Sequence, residues 1–395
     1  MQLERFASSP IGDLRPISGT DGRNGRTYEH CAYVAHPLST EPVLSGQTWR
    51  AVTSASRALA QLDQASRQVP NPRILRRPTL TREAQSTSAL EGTFAPIDEV
   101  LAADESDPAG YSAELIEVIN YIRAADDAFD FVAEQRVITT SLIETAHKQL
   151  VDGTESETRD AGRVRRCQVA IGSPDGTIES SRFVPMPPGP DLEASVRDLV
   201  TWMNDSTAAR DPLVAAAMSH YQFETLHPFN DGNGRIGRLL IVLQLMVDGL
   251  LQEPLLSVSP WFETRRSEYQ DELANVSISG EWDSWVQFFS AAVEASAIDT
   301  ANRVNLMLDA QRDYSQRLQD SGYRGGLARD IVEILVESPI VRVPNLARRF
   351  GKSPQGVDQA VQRLVKVGVL KGPYGTYRKV YIAQEVHRAI TSRSS

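Results

Sequence analysis

The 395-residue chain is poor in cysteine: it has two, Cys31 and Cys167, which form no CxxC pair. That excludes a disulfide framework and a cysteine-built zinc site, and a reducing cytoplasm is the compartment that fits. Long apolar runs are also missing. The most hydrophobic stretch, Leu239 to Val247, is interrupted by Gln244, whereas a bilayer span needs about 20 apolar residues. The N-terminus, MQLERFASSPIGDLRP, lacks the apolar core of a signal peptide. Neither a GxxxxGK(S/T) phosphate loop, an internal repeat nor a low-complexity tract is found. Basic residues are in deficit, 41 Lys and Arg against 51 Asp and Glu for a net of -10, which at first argues against polyanionic ligands. What remains, 41% apolar and 23% charged residues, is an ordinary globular mixture, and the length predicts two or three compact units.

The deficit is unevenly spread. Residues 340–395 hold eleven Lys and Arg against two acids, a net of +9, so the rest of the chain carries -19. An acidic body joined to a basic end suggests polyanion contact at that end, or a solvated basic surface.

Periodicity predicts a mainly helical protein. Residues 1–45 show no sustained period and read as an irregular arm. Trp49, Val52, Ala55, Leu59 and Leu62 recur at helical spacing. A Pro-bearing segment, 70–78, separates that helix from a second one, Thr81 to Glu91, which stops at Gly92. After a turn at Asp107-Pro108 an amphipathic helix carries Leu115 to Phe129, and Ser141 with Glu144 forms a capping box for the next. Gly162 to Pro188 changes character: Val169 and Ile171 alternate, Asp175-Gly176 marks a turn and Arg182 to Val184 is extended, which predicts a short hairpin among helices. Asp191 and Asp211 each cap a helix, and two more fill 267–293 around Tyr269, Leu273, Trp282, Trp285, Phe288 and Phe289. A linking helix is expected from Arg303 to Arg317. The tail reads helix (327–337), helix (344–350), a turn at Gly351, helix (353–367), then strands around 368–370 and 378–382.

The densest chemistry lies at His227-Pro228-Phe229-Asn230-Asp231-Gly232-Asn233-Gly234-Arg235-Ile236-Gly237-Arg238. Gly232 and Gly234 let successive N–H groups converge at the start of the following helix, a geometry that binds an anion. The helix dipole adds positive potential, and Arg235 and Arg238, three apart, are expected to project from one face toward it. Such a site suits a polyphosphate. Asp231 offers a hard oxygen to Mg²⁺ that keeps most of its waters, and His227 is a base near neutral pH. Each feature alone is commonplace; the combination is specific.

HPFNDGNGRIGR resembles the signature of Fic-domain proteins, HxFx(D/E)GNGRxxR, at every fixed position. The resemblance runs from about Ser112 to Val293. It implies a Fic helical core with a short β-hairpin flap, and transfer of AMP from ATP to a Ser, Thr or Tyr hydroxyl of a protein, itself included, with pyrophosphate released. His227 would take the hydroxyl proton, Asp231 would hold Mg²⁺, the Gly232, Asn233 and Gly234 backbone would cradle the phosphates, and Arg235 and Arg238 would contact the β- and γ-phosphates. The flap, near Ser180 to Val184, would align the target segment as an added strand. Tyr269 is similar to a family aromatic near the base, although the family's second tyrosine is Gln270 here. Thr87-Ser88-Ala89-Leu90-Glu91-Gly92 resembles the (S/T)xxxE(G/N) motif of relatives with an N-terminal inhibitory helix. Glu91 would then pair with Arg238 and spoil the nucleotide pose, or help remove AMP from the target.

The tail looks like a winged helix, with Val357, Ala360, Val361 and Leu364 inward, Lys352, Gln355, Arg363 and Lys366 outward, and Tyr374, Tyr377, Arg378 and Lys379 on the wing. Such modules bind DNA or dock proteins. The expected organisation is an N-terminal segment with the inhibitory helix (1–105), a Fic core (106–300), a linking helix (301–325) and a winged-helix domain (326–395). An autoinhibited cytoplasmic adenylyltransferase is the leading reading. The alternatives are a DNA-binding regulator whose core senses nucleotide, and a de-AMPylating enzyme. A homodimer, common in relatives, would regulate access to the flap.

Overall fold

The computed structural model describes all residues except 21–24, 40, 68, 70, 104–109, 174, 206, 208, 324–325, 376–378 and 393–395. The Asp107-Pro108 turn, Tyr377 and Arg378 lie outside the described residues. The chain begins with α1 (Leu3–Phe6) and two antiparallel strands, β1 (Gly12–Thr20) and β2 (Thr27–Ala35), in register from Gly12↔Ala35 to Thr20↔Thr27. These replace the expected irregular arm. The pattern was hidden because β1 is a mostly exposed edge carrying Pro16, with Gly12 packed under the Tyr33 ring.

The body is a stack of helices. α2 (Gly46–Ser66) starts at Ser45, whose hydroxyl accepts from Thr48 N–H at 3.2 Å. It lies along α12, burying Val52, Ala55, Leu59 and Leu62, whereas Trp49, expected inside, is 37% exposed. α3 (Arg73–Glu91) begins earlier than expected, with Pro78 inside it, and ends at Gly92 in the left-handed conformation, φ 98°. α4 (Ile97–Ala102), α5 (Ala113–Gln135) and α6 (Thr140–Val151) follow. Thr139, rather than Ser141, caps α6, accepting from Leu142 N–H at 3.0 Å. α7 (Pro190–Met203) has Gly189 at its cap position and Asp191 in its first turn, while Asp211 caps α8 (Pro212–Leu226) as expected. α9 (Asn233–Val247), α10 (Ser259–Thr264) and α11 (Arg266–Ser279) complete the centre.

From Trp282 to Asp320 the backbone is one 39-residue helix, α12, so no separate linking helix begins near 301. Its apolar face is continuous enough to pack first on α2 and then on the C-terminal elements. Those are α13 (Leu327–Ile334), β3 (Ile340–Val341), α14 (Val343–Phe350), α15 (Pro354–Lys366), β4 (Lys371–Tyr374) and β5 (Val380–Ile382), with sheet order β3-β5-β4. Val357, Ala360, Val361 and Leu364 face inward from α15. An unexpected last helix, α16 (Gln384–Thr391), returns to pack on α12 and α3. Arg303 of α12 seals that return, donating to the Ala389 and Ser392 carbonyls at 2.7 and 2.8 Å.

Between α6 and α7 the flap is a minimal hairpin, paired among the described residues through one antiparallel bridge, Ile171↔Phe183. Phe183 packs with Phe6 and Tyr33, ring centroids 5.9 and 5.7 Å away, and Tyr33 N–H donates to the Val184 carbonyl at 2.8 Å. The N-terminal strands therefore hold the flap in place. Among the described residues no helix is long and apolar enough to cross a membrane.

Candidate active site

α8 ends at His227, which adopts the left-handed conformation with φ 49°. The turn that follows is shaped by its own side chains. Asn233 donates to the Phe229 carbonyl and accepts from Phe229 N–H, both at 2.8 Å, so its amide is consumed within the loop. Gly232, φ 77°, brings the chain into α9. His147 on α6 stacks flat on Phe229 at 3.8 Å, donates from Nε2 to the Asp231 carbonyl at 3.0 Å, and accepts Gly162 N–H on Nδ1 at 2.9 Å. Burial pushes its pKa down to about 4, which agrees with the neutral ring those bonds require.

A cavity of ≈ 290 Å³ opens at this point between α3, α8, α9, α11 and the flap. His227, Gly234, Arg238, Glu91, Glu224 and Tyr269 are among the residues that line it. The Glu224 carbonyl lies 3.3 Å from His227 Nδ1; a carbonyl accepts only, so Nδ1 carries the hydrogen and Nε2 keeps its lone pair. Burial and the nearby Arg165 guanidinium push the His227 pKa down to about 4. The ring is a neutral acceptor at physiological pH.

Arg238 is almost fully buried and faces α3. It donates from Nε to Thr87 Oγ1 at 2.6 Å, and from Nη2 to the Thr87 carbonyl at 3.0 Å and to Glu91 Oε1 at 2.6 Å. Burial opposes its charge, but Glu91, Tyr269 and Glu224 outweigh that and raise its pKa. A Cβ on Gly234 would collide with the Glu91 carboxylate, so the glycine leaves room for it. Arg235 goes elsewhere, a correction to the expected shared face: it is buried against α5, donating to Glu117 Oε2 at 3.0 Å, and does not line the cavity. Residues three apart on a helix diverge by about 60°, enough here for one to meet α5 and the other α3.

Asp231 is half exposed. Burial would raise its pKa, yet the Ser156 hydroxyl, the Arg235 guanidinium and Gly232 N–H outweigh it and keep the carboxylate ionised. One half-exposed carboxylate at the start of α9 fits a magnesium ion that takes its other ligands from phosphate and water. Among the described residues, no cluster of three His, Cys, Asp or Glu forms an all-protein metal cage. Tyr269 spends its hydroxyl on His220: Nδ1 of that ring faces the Gly237 carbonyl at 3.0 Å, so Nε2 accepts from Tyr269 at 2.7 Å. Across the cavity, Arg182 of the flap pairs with Asp271 and reaches Gln270 Oε1 at 3.3 Å.

Sequence reasoning passed over His147, Arg165 and Glu224. Glu224 sits one turn before His227 with its Oε1 buried and unpartnered, and burial, helped by Glu91 and opposed by Arg238, raises its pKa to about 7. An inward spacing with Ile143 and Leu150 could have singled out His147; nothing local marks Arg165 within its arginine-rich run.

Residues 49–130 match the model described as Fic/DOC family N-terminal, and residues 137–245 the one described as Fic/DOC family. A protein adenylyltransferase of Caenorhabditis elegans is 32% identical over 212 residues, 51% of this chain and 37% of that protein. A probable protein adenylyltransferase of Aquifex aeolicus is 27% identical over 158 residues, 38% of this chain and 45% of that one. The chain thus spans less than half the length of these curated relatives. The crystal structure of a Fic family protein from Desulfovibrio desulfuricans shares the fold, with a TM-score of 0.56 at 22% identity over 88% of this chain and 98% of that one. The chain thus carries the Fic/DOC family's N-terminal segment over 49–130 and a Fic/DOC family domain over 137–245.

Proposed function

We propose that the protein is an adenylyltransferase that moves AMP from ATP to a hydroxyl of a protein, and that Glu91 restrains it. The observation that carries this reading is the cavity shared by a neutral His227, the α9 N-terminus at Gly234 and Arg238. The target oxygen attacks the α-phosphorus, its proton passes to His227 Nε2, and the bond from the α-phosphorus to the bridging oxygen breaks, releasing pyrophosphate. The backbone of Gly232 to Gly234 receives phosphate oxygens at the positive end of α9. Arg238, once released by Glu91, pairs with the terminal phosphate. Asp231 would hold magnesium, whose charge offsets that of the phosphates. A target segment aligns along the flap near Ser180 and Arg182, since the Val184 carbonyl is already taken by Tyr33.

Incubation with ATP, magnesium and cell lysate tests this. A protein gaining the mass of one AMP with wild type or Glu91→Gly, and none with His227→Ala, supports it. Equal labelling by His227→Ala contradicts it.

A second reading concerns 326–395. The order α13-β3-α14-α15-β4-β5 with sheet order β3-β5-β4 supports a winged helix, and α15 leaves Gln355, Gln359, Arg363 and Lys366 exposed within 340–395, a stretch of net charge +9. We propose DNA contact there. Filter binding of the full chain to duplex DNA, with and without Lys352→Glu and Lys366→Glu, checks it; retention unchanged by both substitutions contradicts it.

A further inference from the structure

Arg165 is 1% exposed and lies behind the catalytic turn, outside the cavity. Among the described residues no carboxylate pairs with it. Its guanidinium is spent on backbone carbonyls instead: Nε donates to His227 O at 2.8 Å, Nη1 to Cys167 O at 3.1 Å and Nη2 to Met186 O at 2.6 Å. Its own N–H donates to Pro228 O at 2.8 Å. The four carbonyls come from three separate pieces of chain: the catalytic turn (227–228), the segment entering the flap (167) and the segment leaving it (186).

Two physical points set this residue apart from an ordinary buried arginine. A buried cation without an anion is costly to desolvate, and an apolar side chain of similar size would fill the space without that cost. The His227 backbone it grips is in the left-handed region, which side-chain-bearing residues adopt only when their surroundings impose it. We propose that Arg165 is a positioning residue for group transfer: it fixes His227 and both feet of the flap as one unit, and its charge sets the potential at the His227 ring.

This inference rests on His227 being the proton acceptor. The charged groups that face that ring are Arg165, Glu91 and Asp231, with Glu224 and Arg238 lining the same cavity. Glu91 and Asp231 favour the protonated ring. Burial and Arg165 oppose them and prevail, which leaves the ring able to accept a proton. A shared clamp on the turn and the flap also means that the attacking hydroxyl, held by the flap, and the base that takes its proton keep a constant separation.

The test uses the full chain with Glu91→Gly, adding Arg165→Lys, which keeps the charge but lacks the planar fork, or Arg165→Met, which loses both. The His227 ring is titrated by NMR, independently of activity, and AMP transfer is measured on the same samples. Arg165→Met is expected to raise the His227 pKa by about one unit. Arg165→Lys is expected to leave that pKa near the parent value while lowering kcat roughly 10- to 100-fold, with KM for ATP within about twofold. An unmoved titration in Arg165→Met, or an unchanged kcat in Arg165→Lys, overturns the proposal. If Arg165→Met does not fold, the Lys variant decides by its kcat. If the titration moves as expected while the parent transfers no AMP, the proposed activity fails and the electrostatic role of Arg165 stands.

Discussion

Arg238 Nη2 donates to Glu91 Oε1 at 2.6 Å, joining the last turn of α3 to the second turn of α9 across the wall of the cavity. Thr87, one turn earlier on α3, accepts from the same guanidinium twice. The arginine proposed to meet the triphosphate is thus already bound by a helix of the same chain. Thr87→Val keeps the shape and removes the hydroxyl. Loss of one hydrogen bond to a charged group weakens the grip of α3 on Arg238, and AMP transfer is expected to rise about 3- to 10-fold, measured as the initial rate of incorporation; a fall in rate would contradict this.

His220 is buried and its pKa is pushed down to about 3, by burial first and by Arg238. In the unfolded chain it takes up a proton near pH 6.5. The stability it confers as a neutral ring is therefore complete above 6.5 and is lost as the pH falls toward 3, on the order of 5 kcal/mol at full effect. His220→Gln, which keeps a donor and an acceptor without titrating, is expected to lose less stability than wild type between pH 7 and pH 4. Urea midpoints at the two pH values check this, and parallel losses would refute it.

Glu224 has the opposite sign. Its raised pKa, about 7, means that stability is fully present below about 4.5 and declines as the pH rises through 7. Glu224→Gln is expected to raise Tm relative to wild type at pH 8 and to change it little at pH 5. A Tm difference independent of pH would rule this out.

The basic module is tied to the body through Arg303, which bonds Asp299 on its own helix and the end of α16. Removing it leaves the buried Ala389 and Ser392 carbonyls without their donor and Asp299 with Arg82 as its remaining partner, so Arg303→Ala is expected to cost about 2–3 kcal/mol. Limited proteolysis should then release the C-terminal segment first. Cleavage elsewhere at the same rate would show that α16 is not seated by Arg303.

The helical body and the His227–Arg238 turn were legible in the sequence because their determinants are local. Apolar spacing marks α5 and α15, and His227 to Arg238 carries its chemistry within a dozen consecutive residues. The groups that hold that turn were not legible. His147 is 84 residues from the Asp231 carbonyl it binds, and Arg165 is 62 from His227; both act on backbone atoms, which leave no trace in side-chain type. The divergence of Arg235 from Arg238 depended on where Glu117 sits in α5. The N-terminal strands escaped because one face of β1 is exposed and Pro16 interrupts its pattern, yet they brace the flap.

Glu91 is proposed to hold Arg238 away from nucleotide while His227 stands ready. The most direct test of this is intact-mass analysis after incubation with ATP, magnesium and lysate, comparing wild type, Glu91→Gly and Glu91→Gly with His227→Ala. Loss of a charge-assisted hydrogen bond of about 1.5–3 kcal/mol predicts a 10- to 100-fold rise in AMP transfer for Glu91→Gly, abolished by the added His227→Ala. Equal rates for wild type and Glu91→Gly would contradict it.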